Sequence, residues 1–219
     1  YYTRTNQGSP LKLQVPSEPG NYEVRYILGQ GVQLLAKTAI TLKAVSATLQ
    51  APAVAAAGSK IDVAWQGPAN QPDYISIARP DQEAGRYLYY TYAKQGSPLK
   101  LQLPSEPGTY EVRYILGSET RLLARTAITI QPVTASVSPP ATAAANALFE
   151  VQWQGPGYPP DYIAIAKPGM PDNRYIHYVY TRTGNPVKLK APEEAGTYEV
   201  RYIMGQEARL LDRKTITVK

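Results

Sequence analysis

Short runs of alternating apolar and polar residues dominate the chain. In "LKLQL", residues 99–103, every second side chain is apolar, and the same alternation appears in "LKLQV" from Leu11 and "VKLKA" from Val187. A period of two puts one face of an extended segment in a core and the other in water, so these runs predict half-buried β-strands. Along "TYEVRYIL", residues 109–116, the pattern sets Tyr110, Val112, Tyr114 and Leu116 on the buried face and Glu111, Arg113 and Ile115 on the wet one. Pro/Gly clusters such as "QGPANQPD" and "LPSEPG" separate the runs. The stretch 44–131 thus predicts seven strands, at 47–50, 61–65, 74–78, 87–92, 99–103, 110–116 and 122–130, the count and spacing of an all-β sandwich. No segment carries a convincing helical period.

The pattern repeats with a fixed period. Tyr22, Tyr110 and Tyr198 stand 88 residues apart, and the same spacing relates Trp65 to Trp153, Asp73 to Asp161, and Pro10 to Pro98 and Pro186. A unit of this length can bury its own core, which points to tandem small domains and away from a solenoid. The expected organisation is the C-terminal half of one repeat at 1–43, a complete repeat at 44–131 and a second at 132–219. Residues 1–43 hold only the last four strands of the pattern ("YYTRT", "LKLQV", "NYEVRYIL", "LLAKTAITL"). Such a fragment would expose Leu11, Leu13, Val15, Tyr22, Val24 and Tyr26. It is expected to be completed by an upstream part of its own chain or by strands of a protein partner.

Composition narrows the function classes. There are no cysteines, which removes disulfides and thiolate metal sites. The net charge is +6, but the Lys and Arg residues are scattered singly, which makes a poor nucleic-acid footprint. No apolar run approaches the roughly 18 residues that would cross a membrane as a helix. The first residue is Tyr1 and lies inside a repeat, so any targeting segment is expected upstream.

Motifs that carry chemistry are missing. Asp73 and Asp161 recur, but paired carboxylates that share a bond must lie within about 5–10 Å, and these belong to different repeats. Each reads as an aspartate fixing a turn. The single histidine, His177, aligns with Tyr89 and Tyr1, which cannot replace it as a general base. With no GxSxG, HExxH or phosphate-cradling glycine loop, neither an enzyme nor a cofactor is expected.

The thrice-written "EPGTYEVRYILG" has a structural explanation. Glu106, Pro107 and Gly108 make a tight corner, and a tyrosine two residues later can turn its hydroxyl onto the corner's backbone. Tyr22, Tyr110 and Tyr198 are therefore structural candidates, and so are Trp65 and Trp153, each closing an apolar strand. "EPGTYEV" resembles the stretch of immunoglobulin domains that precedes their second cysteine, with Val112 in the cysteine's place. "IDVAWQGP" is similar to the second strand of fibronectin type III modules, which have no disulfide. The whole repeat also resembles repeats that follow the von Willebrand factor A domain in some secreted or envelope-associated bacterial proteins. That resemblance implies a fold and a location at the bacterial periplasm or cell surface, and no chemistry.

The aromatic content is unusual, with 18 tyrosines and one phenylalanine. In "RYLYYTY", residues 86–92, alternation places Leu88, Tyr90 and Tyr92 on one face and Tyr87, Tyr89 and Thr91 on the other. The leucine face is the better core candidate. Tyr87 and Tyr89, with Tyr175 and His177 in the next copy, are then the candidate exposed patch, suited to a peptide or glycan. The leading expectation is a non-catalytic spacer, stalk or adhesion array, and the alternative is a carbohydrate- or peptide-binding accessory module. Junctions such as "AITIQPVTASV", stiffened by Pro132, leave little room for a flexible linker.

Overall fold

The alternating runs form strands throughout the computed structural model, which describes residues 1–219. Residues 1–43 contain one antiparallel hairpin, β1 (Gly20–Leu28) with β2 (Gln33–Leu42). Next come β3 (Thr48–Gln50), β4 (Val54–Ala56), β5 (Lys60–Gln66), β6 (Tyr74–Ala78), β7 (Tyr89–Tyr92), β8 (Leu99–Gln102), β9 (Gly108–Leu116) and β10 (Arg121–Gln131). The same set recurs as β11 (Ser136–Ser138), β12 (Thr142–Ala143), β13 (Leu148–Gln154), β14 (Tyr162–Ala166), β15 (His177–Tyr180), β16 (Val187–Lys190), β17 (Gly196–Met204) and β18 (Arg209–Val218).

Each set makes two sheets. One has the order β3-β5-β8 and the other β4-β10-β9-β6-β7, with β11-β13-β16 and β12-β18-β17-β14-β15 as their counterparts. Every pairing is antiparallel except β4 with β10 and β12 with β18. Ile61, Val63, Leu99 and Leu101 of the smaller sheet meet Ile75, Ile77, Val112, Tyr114, Ile128 and Ile130 of the larger one in a single core, and the next set repeats this core. The fold is therefore a tandem array of all-β, immunoglobulin-like sandwiches. No helix is long and apolar enough to cross a membrane.

Three expectations are corrected. There are eight strands in each set where seven were predicted, because the first strand breaks and changes sheets. Pro52 lies in one break and Pro139 and Pro140 in the other, where a residue without an N–H cannot continue a ladder. In residues 1–43, "YYTRT" and "LKLQV" are not strands. Their counterparts β7 and β8 pair with β6 and β5, and no such partners stand beside residues 1–15. Finally, β9 is buried on both faces, with Arg113 2% and Ile115 0% exposed. The loop between β6 and β7 folds over the face predicted to be wet. The Arg113 guanidinium holds it there by donating to the carbonyls of Arg79, Pro80, Gln82 and Glu83 while paired with Glu111 at 2.8 Å. Arg201 does the same with Met170 and Pro171.

Candidate functional site

Two features recur on the surface of both complete repeats: a ladder of tyrosines and a polar clamp between neighbouring units.

The ladder stands on the outer face of the edge strand β7 and its neighbour β6. Tyr74, Tyr90 and Tyr92 come from the strands and Tyr87 from the preceding loop. Their rings meet edge-on or tilted, with centroids 5.5 Å apart for Tyr74–Tyr87, 4.9 Å for Tyr87–Tyr90 and 5.1 Å for Tyr90–Tyr92, and the Lys94 ammonium lies over the last ring. The second ladder is Tyr162, Tyr175, Tyr178 and Tyr180, with a Tyr175–Tyr178 separation of 4.8 Å and the Arg182 guanidinium 4.4 Å above Tyr180. Beside it is a shallow hollow of about 390 Å³ lined by Pro159, Pro160 and the ladder rings. Burial raises the Tyr74 and Tyr162 phenols above their ordinary value, so both stay neutral.

The predicted patch is split by the structure. Tyr87 and Tyr175 are exposed, each at 39%, and belong to the ladders. Tyr89 and His177 are half-buried and face the other way, opposite Ile77 and Ile165. The faces of "YLYYTY" are inverted because Leu88 precedes the strand and both it and Tyr89 pack on the core, so alternation starts at Tyr89. Tyr90 and Tyr92, assigned to the core from sequence, are outside.

Tyr89 instead joins the clamp. Its hydroxyl donates to Glu207 at 2.7 Å, and the Ser105 hydroxyl donates to the same carboxylate at 2.6 Å. Arg209, two residues on, donates back to the Ser105 carbonyl. The preceding junction repeats this chemistry: Tyr1 donates to Glu119 at 2.6 Å, Ser17 donates to Glu119 through its hydroxyl and its amide, and Arg121 donates to the Ser17 carbonyl at 3.0 Å. Desolvation, followed by the bond to Glu207, pushes the Tyr89 phenol up to about 12. Desolvation would raise the Glu207 carboxyl, but the bonds from Ser105 and Tyr89 outweigh it and leave the group below its ordinary value. The linker is pinned at both ends, Val133 on the core before it and Ala135 on the core after it.

The structural candidates sit as follows. Tyr22, Tyr110 and Tyr198 donate to the carbonyls of Glu18, Glu106 and Glu194 at 3.0, 3.0 and 2.9 Å. Trp65 and Trp153 are half-buried at the margin of each core, and each indole N–H donates 3.0 Å to a glycine carbonyl, Gly96 or Gly184. Asp73 is more than a turn residue: buried, it accepts from Tyr114 Oη and from the amides of Asn70 and Gly117, and Asp161 repeats this with Tyr202, Tyr158 and Gly205. Burial raises the Asp161 carboxyl, partly offset by those bonds.

Comparison with family models and with curated proteins gives no match. Solved structures of similar fold include the three N-terminal domains of the bacteriophage RB49 highly immunogenic outer capsid protein, Hoc (TM-score 0.33, 11% identity, 80% of this chain and 59% of that one). The FN1–FN3 domains of chicken CNTN1 align at TM-score 0.32 and 10% identity over 91% of this chain and 77% of that one. The Yersinia pseudotuberculosis adhesin InvE aligns at TM-score 0.30 and 12% identity over 80% of this chain and 60% of that one. The chain thus spans less than two thirds of the solved three-domain Hoc chain and of the solved InvE chain.

Proposed function

We propose that this chain is a non-catalytic structural and interaction segment, a semi-rigid spacer, stalk or adhesion array of a larger bacterial surface or periplasmic protein, divided into units at 1–43, 44–131 and 132–219. The observation that carries this reading is the twice-built clamp, the same tyrosine, serine, glutamate and arginine meeting across both junctions. A chain selected only to tether two ends needs no such contact; one selected to hold a direction does. The resemblance to repeats following von Willebrand factor A domains supports the bacterial setting. In small-angle scattering the full chain fits one extended conformation; a profile that requires an ensemble of bent forms contradicts the spacer.

The tyrosine ladders favour a second role, engagement of a glycan or peptide. Aromatic rings with polar tips, already packed against one another, present contact area at small entropic cost. A glycan array with the full chain and with Tyr87→Ala/Tyr90→Ala separates the roles: binding lost in the variant supports engagement, and no binding by either leaves only the spacer.

A further inference from the structure

The clamp is not written at every position where the period would put it. In the acceptor unit of the second junction, Tyr89 and Ser105 present hydroxyls to Glu207, and Gly58 lies under Met204. A Cβ at Gly58 would come 2.5 Å from Met204 Sδ and 3.2 Å from the Tyr158 ring, so any side chain there would have to displace the methionine. One period later these positions are His177, Glu193 and Asn146.

The backbone beneath them is unchanged. His177 pairs with Ile165 as Tyr89 pairs with Ile77. Asn146, at φ 60°, donates its amide to the Pro192 carbonyl as Gly58, at φ 75°, does to that of Pro104. The face has kept its shape and exchanged its chemistry. Against another glutamate loop, Glu193 would set carboxylate against carboxylate where Ser105 donates a hydroxyl, leaving the His177 imidazole as the one side-chain donor of the Tyr89/Ser105 pair and like charges repelling. The Asn146 side chain would also occupy the space that Met204 fills one unit earlier. In the unit at 1–43, Gly31 and Gln33 stand where Glu119 and Arg121 do, so the glutamate–arginine loop is likewise not written in every unit.

We infer that the end of the third repeat formed by His177, Glu193 and Asn146 is a docking face for a protein segment that presents a lysine or arginine where the internal junctions present a glutamate. Glu193 is exposed there and takes part in no ion pair within the chain, whereas its counterpart Ser105 is covered. A cation meeting Glu193 restores the complementarity that the substitution removed, and a second copy of this chain's own glutamate loop is refused.

The occupied junction of the full chain provides the test. With spin labels at Lys100→Cys and Lys188→Cys, in a protein without other cysteines, the wild type gives one narrow distance distribution. Tyr89→His/Ser105→Glu, which installs the third repeat's chemistry in the second, is expected to abolish the narrow peak, and adding Glu207→Lys to restore it. Ser105→Glu alone leaves Tyr89 packed on the core and keeps the comparison open if the double variant does not fold. A narrow peak that survives the transplanted pair, or a broad distribution that Glu207→Lys does not sharpen, overturns the inference. The same reversal is read directly in a chain extended past Lys219 by a copy of residues 132–219. With its junction methionine shortened to alanine to make room for Asn146, that copy docks when its glutamate at the junction position is replaced by lysine; docking with glutamate in place overturns the assignment.

Discussion

Tyr110 carries a fold signature in one hydroxyl. Its donor and acceptor are four residues apart, so the contact was legible in the wording of the motif before any tertiary structure was known. Tyr110→Phe leaves the Glu106 carbonyl without that donor and is expected to cost about 1–3 kcal/mol in a denaturant melt; a neutral result would remove the corner from the account. Trp65 supports less than its size implies, since it closes the margin of the core. Trp65→Ala is expected to cost about 3 kcal/mol, the low end for a large aromatic, with native emission bluer than that of indole in water. Asp73 shows the limit of sequence reading. Its bond to Tyr114 joins residues 41 apart, and only the folded sheet brings a carboxylate under a tyrosine of a different strand.

At the scale of elements, alternation gave the strands and their inward faces wherever a run lay wholly within one strand, as in β5, β8 and β9. It failed where a strand begins or breaks. The phase of β7 starts one residue later than the run of tyrosines suggests, and the first strand divides between two sheets at Pro52. The covering of β9 was also hidden, because an arginine at a wet position reads as solvated until a loop supplies carbonyls for it. Arg113→Met is expected to destabilise the second repeat by about 3 kcal/mol, releasing residues 79–88, while the third repeat melts as before; an unchanged melt contradicts the clamp on the loop. The junction has its own pH dependence. The Glu207 carboxyl titrates below its ordinary value of 4.5 in the folded array, so the stability it contributes is present above that pH and lost as the pH falls below it. Contact between the second and third repeats is expected to loosen on acidification below about pH 4.5, read from label separation, and Glu207→Gln to remove the pH dependence. A junction that stays closed in Glu207→Gln and wild type alike at low pH contradicts this role.

At the scale of the molecule, the period of 88 residues made the array legible, since the two full sets repeat core, corner and tryptophan in register and the corner recurs in residues 1–43. The junctions were not, because their partners lie 102–118 residues apart and gain meaning only when one unit's loop reaches the previous unit's corner. The N-terminal hairpin behaves differently from the complete sandwiches. On it Tyr26, Leu34 and Leu35 are exposed, as are Leu13 and Val15 before it, and Leu13 and Tyr26 line a groove of about 1050 Å³. In a monomer of the 24.0 kDa chain, amides of β1 and β2 are expected to exchange faster than those of β9 and β10; equal protection would mean that the hairpin needs no further strands. The central claim is that the clamps fix the direction of the array, and residual dipolar couplings on the full chain test it most directly. The account predicts that amides of residues 48–131 and 136–218 fit a single alignment tensor, which separates into two in Glu207→Ala. Two tensors of different magnitude in the wild type, unaffected by Glu207→Ala, would contradict it.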